Sequence, residues 1–322
     1  MVHRLSTKFR NLKPSDLYAA LRYAVLWPFY LVVFLEQHRR ATLARRAQTW
    51  QQPPDFILRP LARLVLTIFP VTVQNEAIVA QLTEQNSRIL YVENHQLLAL
   101  ELATTLSTVY LLTGRLPRGI MDRVHLKIPL WADLLTALGA INGDPASVAD
   151  AMAKGHNLLV LPGGHHEVYR KKSDRKYSLQ WRKRAGFARL AVQHQYTIVP
   201  ISGIGCEDML HILTDVAIPD GFMSKVIRDE RKGMSLPICL PVSYEMQYFR
   251  FGRPIRCDKL NGNWEDVDKV WGIREKTRRA VEGGIEKLIA KRSSDGRKRW
   301  VASGLVRRFQ KLATGEELVC LA

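Results

Sequence analysis

From Arg88 onward the chain alternates short apolar runs with longer amphipathic ones, and this rhythm restricts the fold more than any other feature. Ile89–Val92 reads as a strand and Leu97–Leu112 as a helix. Arg118–Met121 reads as a strand, and Leu130–Leu138 as a helix ending at Gly139. Ala140–Asn142 is a short strand or turn, Ser147–Lys154 a helix stopped by Gly155, and Asn157–Leu161 a strand. Arg184–Gln193 is a helix and Thr197–Ile201 a strand. This order predicts an α/β fold, a central mixed, largely parallel sheet flanked by helices. In such sheets ligands bind beyond the carboxyl ends of the strands. Three of those ends carry polar or glycine-rich breaks: Asn94-His95, Pro162-Gly163-Gly164 and Gly203-Ile204-Gly205.

What precedes the rhythm is of another kind. Leu17–Leu35 is almost wholly apolar, broken by Arg22 and Pro28, and near the length of about 20 residues that spans a bilayer. Basic residues flank it on both sides, whereas a single span places its positive flank on one. That symmetry and Pro28 favour a re-entrant or interfacial segment over a span or a buried core helix. Phe56–Val73, interrupted by Arg59, Pro60, Arg63 and Pro70, reads as a membrane-lying or core-covering helix. No cleavable leader is expected. At the other end Trp264–Lys291 reads as a charged helix, and Arg297–Leu312 as a basic amphipathic tail suited to a membrane surface or to the protein body. The expected division is residues 1–74 as membrane-associating segments, 75–291 as an α/β domain, and 292–322 as the tail.

Charge narrows the partners. Lys and Arg number 48 against 30 Asp and Glu, a formal net charge of +18, which suits an anionic membrane surface, a phosphorylated substrate or nucleic acid. The apolar 17–35 stretch and the lack of a recognisable binding module argue against nucleic acid. The four cysteines are too widely spaced for a zinc site or disulfide framework, which fits a reducing compartment. Adjacent His165 and His166 point apart on a strand or turn, so no metal is expected.

A histidine where a strand meets a helix, followed by a carboxylate one to two turns on, is an arrangement for proton transfer. Asn94-His95-Gln96-Leu97-Leu98-Ala99-Leu100-Glu101 resembles the first motif of the glycerolipid acyltransferase superfamily, an Asn-His with a downstream acid. The common pattern has the acid five positions after the histidine, where this chain has Leu100; here the acid is Glu101, six positions on. Leu161-Pro162-Gly163-Gly164-His165-His166-Glu167 resembles the third motif in its Pro-Gly-Gly-x-x-Glu form, as in the diacylglycerol acyltransferase and phytyl ester synthase branch. Ile198-Val199-Pro200-Ile201 is similar to the fourth, and Pro117–Arg123 is weakly similar to the second. Phosphate-acceptor members carry Phe-Pro-Glu-Gly-Thr-Arg in the third motif, so Pro-Gly-Gly favours a neutral hydroxyl acceptor.

The resemblance implies a glycerol-3-phosphate acyltransferase-like fold with N-terminal membrane-associated helices. It also implies a membrane-bound O-acyltransferase facing the cytoplasm, with acyl-CoA or an acyl carrier protein as co-substrate, a lipid acceptor and no resident cofactor. His95 would be the general base and Glu101 its partner. Asn94, Arg118, Arg123, Pro162, Gly163, Gly164, Glu167 and Arg170 are the substrate-binding candidates. Glu167 would meet the acceptor or order its loop, and Arg118 or Arg123 would meet substrate or form a structural ion pair. Arg170 heads a basic run, through Arg184, that would meet coenzyme A phosphates or lipid headgroups or simply be solvated. Tyr169, Tyr177 and Trp181 within that run would suit the membrane interface. The Gly163 and Gly164 N–H groups would bind an oxyanion or a phosphate. The competing readings are a lysophosphatidate acyltransferase and a His-dependent lipid esterase or thioesterase. A serine hydrolase of the α/β type needs a Gly-x-Ser-x-Gly elbow, which the sequence lacks.

Overall fold

The computed structural model describes Glu36, residues 39–217, residues 235–295, and Cys320 and Leu321. The apolar 17–35 stretch, the 219–234 region and the 297–312 tail fall outside these residues. The chain forms two compact units, 1–49 and 50–322. Of the first, a helix over 39–48 is described, preceded by Glu36, which pairs with Arg39 and Arg40.

In the second unit the elements run α1 (Asp55–Ile68), β1 (Val71–Gln74), α2 (Ala77–Glu84), β2 (Ile89–Glu93), α3 (Glu101–Thr113), β3 (Arg118–Met121), α4 (Trp131–Ala137), β4 (Ile141–Asn142), α5 (Pro145–Ala153) and β5 (Leu158–Val160). There follow α6 (His165–Val168), α7 (Gly186–Gln193), β6 (Thr197–Ile204), α8 (Cys206–Met209), β7 (Leu210–Ala217), β8 (Ser235–Pro241), β9 (Gln247–Phe251), β10 (Ile255–Arg256), α9 (Val267–Ser294) and β11 (Cys320–Leu321). The main sheet has the order β11-β1-β9-β6-β2-β5-β3-β4, with β10 also on β6. β6, β2, β5, β3 and β4 are mutually parallel. β9 joins β6 antiparallel and carries β1 parallel to itself. The sheet is therefore mixed and largely parallel, as the alternation predicts.

β2 shows why its sequence is apolar throughout. Leu90 and Val92 enter a core with Val148 and Met152 of α5, Phe187 and Ala191 of α7, and Val281 and Leu288 of α9. Ile89 and Tyr91 enter a second core, on the other face, with Leu66 of α1, Val79 of α2 and Val109 of α3. Alternate side chains leave opposite faces of a strand, and both faces here are covered by helices, so neither set can be polar.

Three expectations change. The domain boundary at 74/75 falls instead after residue 49, because Val71–Gln74 is a strand of the main sheet. Trp181 and Tyr177 are not interfacial: both are buried in the first core, with Trp181 edge-on to Phe187. Phe56–Val73 is α1 plus a strand. The inner face of α1, Leu58 and Ala62, packs on Tyr110 of α3, while Phe56, Ile57, Leu61 and Leu64 remain exposed. Not anticipated at all was a separate two-stranded ribbon, β7 with β8.

Candidate active site

The parallel register lines up the three strand ends. Val92 pairs with Val160 and Glu93 with Ile201, so Asn94-His95, the Pro162 turn and Gly203 lie along one edge of the sheet. Beyond β2 the extended chain still alternates. Asn94 and Gln96 reach toward the end of β6. Asn94 Nδ2 donates to Gly203 O at 2.9 Å, and its Oδ1 accepts from Gly203 N–H at 2.8 Å. Gln96 Oε1 accepts from Cys206 N–H at 3.0 Å. Between them His95 reaches toward the start of α3, where its Nδ1 is hydrogen-bonded to Glu101 Oε1. Glu101 is fully buried, and the His95 side chain is 11% exposed.

The six-residue spacing has a structural cause. Leu97–Ala99 is not the start of the helix but a 3-10 turn in which Leu98 and Ala99 have positive φ, 57° and 60°. Left-handed backbone costs a non-glycine residue about 1–2 kcal/mol. The turn takes up the extra residue and starts α3 at Glu101 itself, which places the carboxylate against the imidazole.

A second carboxylate meets the same residue from another direction. Glu167 Oε2 accepts the backbone N–H of His95 at 2.7 Å, and its Oε1 accepts that of Gln180 at 2.7 Å. Glu167 is wholly buried. Burial pushes its carboxyl above the usual range, against the two amides, which favour the charged form. A Cβ on Gly163 would stand 1.9 Å from Glu167 Cδ, so only glycine lets this clamp close. The turn is held from its other side by Arg184, whose Nη1 donates to Pro162 O at 2.9 Å and Gly163 O at 3.0 Å. Gly164 N–H donates to Leu161 O at 3.1 Å. Among the described residues the N–H of Gly163 meets no acceptor.

Of the predicted residues, the fold thus gathers Asn94, His95, Glu101, Pro162, Gly163, Gly164 and Glu167. It gives several of them other work. Asn94 is engaged at both ends of its amide by Gly203, and Glu167 orders the loop, so neither presents a polar atom to a substrate. The Gly164 N–H closes the turn rather than awaiting an oxyanion. Arg118 stands at the far, N-terminal end of β3, beside Leu158. It is buried, its Nε donates to Gly139 O at 2.9 Å, and its guanidinium lies 5.0 Å from the Trp50 ring. Burial lowers its pKa to about 10. Arg170 is also buried, donating to Glu207, Ser178 and the Arg175 carbonyl. Both arginines are structural. Arg123 lies exposed in the turn after β3.

Sequence reasoning missed Glu93. Its side chain is fully buried, and its Oε1 accepts from Thr105 Oγ1 of α3 at 2.9 Å. Burial holds its carboxyl well above the usual range, and the nearby Glu101 adds to the shift. An acid ending an otherwise apolar strand was the available signal.

A family model described as Acyltransferase matches residues 70–203, a span that contains Asn94, His95, Glu101, the Pro162-Gly163-Gly164 turn, Glu167 and Gly203. Over that span the chain is similar to the acyltransferase family. Among curated relatives, phytyl ester synthase 1, chloroplastic, of Arabidopsis thaliana is 24% identical over 269 residues, covering 75% of this chain and 38% of that protein. The DGAT1/2-independent enzyme synthesizing storage lipids of Bos taurus is 31% identical over 96 residues, 30% of this chain and 28% of that protein. The chain therefore spans well under half the length of either. Among solved structures, the 1-acyl-sn-glycerophosphate (LPA) acyltransferase PlsC of Thermotoga maritima superposes with a TM-score of 0.46 at 15% identity, over 88% of this chain and 98% of that one.

Proposed function

We propose that this chain is a membrane-associated O-acyltransferase that moves a fatty acyl group from acyl-CoA to the hydroxyl of a neutral lipid. The observation that carries the reading is the His95–Glu101 pair at the carboxyl edge of the sheet, beside the Pro162-Gly163-Gly164 turn. With Nδ1–H held by Glu101, Nε2 is the nitrogen left to accept a proton. An acceptor hydroxyl, with a pKa near that of water, about 16, is a weak nucleophile. As its oxygen attacks the thioester carbonyl, Nε2 takes its proton, help worth roughly 10²–10⁴-fold. The imidazolium is stabilised by Glu101, as by the acid of a triad. The tetrahedral oxyanion collapses, the C–S bond breaks, and the leaving thiolate recovers the proton from Nε2. The N–H of Gly163 suits the oxyanion.

A cavity of about 460 Å³ opens beside the same turn and suits the acyl chain. Leu90, Val148, Met152, Val160 and Phe187 give it apolar walls, with Pro162 at its edge. That volume lies within the range of about 300–1,000 Å³ usual for ligand pockets. Arg184, the arginine nearest the turn, uses Nη1 on the Pro162 and Gly163 carbonyls, which favours an uncharged acceptor. The names of the curated relatives, an ester synthase and a storage-lipid enzyme, agree with that preference. Membrane association rests on the net charge of +18 and the exposed apolar face of α1. No helix among the described residues is long and apolar enough to cross a bilayer. The test is purified protein with acyl-CoA and a panel of diacylglycerol, monoacylglycerol, long-chain alcohol and lysophosphatidate, read by lipid mass spectrometry. Esters of the neutral acceptors are expected. A preference for lysophosphatidate would overturn the neutral acceptor, and free fatty acid without ester would make the chain a thioesterase.

A further inference from the structure

The ribbon departs from the pattern of the second unit. Among the described residues β7 and β8 pair only with each other, as a two-stranded sheet apart from the main one. Such a pair is marginal in water without a surface to lie on. On one face Val216 stands opposite Leu236, Thr214 opposite Ile238 and His211 opposite Leu240, so its apolar members are Val216, Leu236, Ile238 and Leu240, joined by Leu213 at the bulge. Each of these five is at least 40% exposed. The alternate residues, Ile212, Pro237 and Cys239, are half-buried. An exposed face carrying five large apolar side chains, with only Thr214 and His211 among them, marks a contact site rather than an ordinary solvated strand.

Its neighbours are basic. In the loop after Arg170, Lys172 N–H donates to Asp215 Oδ2 at 3.0 Å and its Nζ to Leu213 O at 3.1 Å. Lys171 and Arg175 of the same loop are exposed. An exposed apolar face on a ribbon with a basic loop packed along β7 matches the interface of an anionic bilayer, where apolar side chains enter the acyl boundary and Lys and Arg meet headgroup phosphates. The base of the ribbon also belongs to the active-site edge. β7 follows directly on α8, whose Cys206 N–H is bound by Gln96, one residue from His95.

We infer that the β7–β8 ribbon is a docking arm that lays its Val216, Leu236, Ile238 and Leu240 face into an anionic membrane, with Lys171 and Arg175 on the headgroups. This rests on the membrane reading above and adds which surface faces the lipid. It holds the His95 edge against the bilayer, so that a lipid hydroxyl reaches the imidazole without leaving the membrane for water.

The test uses the full chain with Cys320 replaced by Ser. An environment-sensitive fluorophore is placed on Cys239, or on Ile238→Cys with Cys239→Ser. Vesicles of phosphatidylcholine, with or without phosphatidylserine, are added, and flotation is run in parallel. The label at 238 blue-shifts with a several-fold rise in intensity on anionic vesicles. The label at 239 moves far less, and Lys171→Glu with Arg175→Glu shrinks the response at 238. A chain that floats while the 238 label stays unchanged overturns the arm and leaves membrane association standing. A chain that does not float overturns both. A 238 label already blue-shifted without lipid overturns the arm in favour of cover by a second copy, if the shift falls on dilution, or by another segment of the chain if it does not.

Discussion

The β2–α3 junction and the β5–α6 junction each deliver a buried glutamate to His95, and the two glutamates meet it differently. Glu101 bonds the ring; Glu167 bonds the backbone N–H and ties it to Gln180. The first can fix the tautomer and orientation of the imidazole. The second fixes where the imidazole begins. A motif that contains an acid therefore does not by itself give the acid's role; the atom it meets does.

Substitutions can break this contrast in graded steps. His95→Ala should remove transfer almost entirely, a loss of about 10²–10⁴-fold, with the melting temperature little changed; undiminished ester formation would remove His95 from the chemistry. Glu101→Gln should lower kcat by a comparable order while preserving the fold, since the ring loses its stabilising charge and the amide can favour the wrong tautomer. Gly163→Ala and Glu167→Gln should behave differently, lowering stability and kcat together. One buried amide loses its acceptor, at a cost of about 1–3 kcal/mol, seen as a lower melting temperature. A stable Glu167→Gln variant with only a raised KM would return Glu167 to substrate contact.

Glu93 offers a subtler distinction. Its folded carboxyl titrates well above the unfolded one, so the native state binds the proton more tightly. The stability this proton confers is complete below the unfolded value, about pH 4.3, and is lost as pH rises toward the folded one. Glu93→Gln, which cannot ionise, should therefore melt higher than the parent at neutral pH, with the gain shrinking toward zero near about pH 4. A pH-independent difference would mean the carboxyl does not titrate as placed. The smallest effect belongs to the 3-10 turn. Ala99→Gly should stay within about 1 kcal/mol of the parent, because relief of strain offsets added chain entropy. Ala99→Val, β-branched at positive φ, should destabilise and lower kcat by misplacing Glu101.

The sheet was legible because its strands are apolar on both faces, and the His95–Glu101 pairing because the motif order brings His95, Glu101 and the Pro-Gly-Gly turn to strand ends. The jobs of Asn94, Arg118 and Arg170 were not, and the choice between acceptor contact and loop ordering for Glu167 stayed open, because each is a polar residue that the fold buries and satisfies with backbone or side-chain partners, and composition carries no record of a partner. Glu93 was passed over for the same reason. The ribbon stayed hidden because Leu210–Ala217 and Ser235–Pro241 have mixed apolar and polar residues and prolines, and pair only across a long intervening segment.

Asn94 and Gly203 make both their hydrogen bonds across 109 residues. Their exchange is an additional rung on the β2–β6 ladder, made by a side-chain amide in place of a peptide. It sets an order of events during synthesis. A nascent chain that has passed His95, Glu101 and even Glu167 still lacks the rung that fixes the end of β2, and gains it only when Gly203 has left the ribosome. Reactive geometry is thus withheld until most of the sheet has been made, and a chain truncated before Gly203 should carry both motifs and esterify nothing.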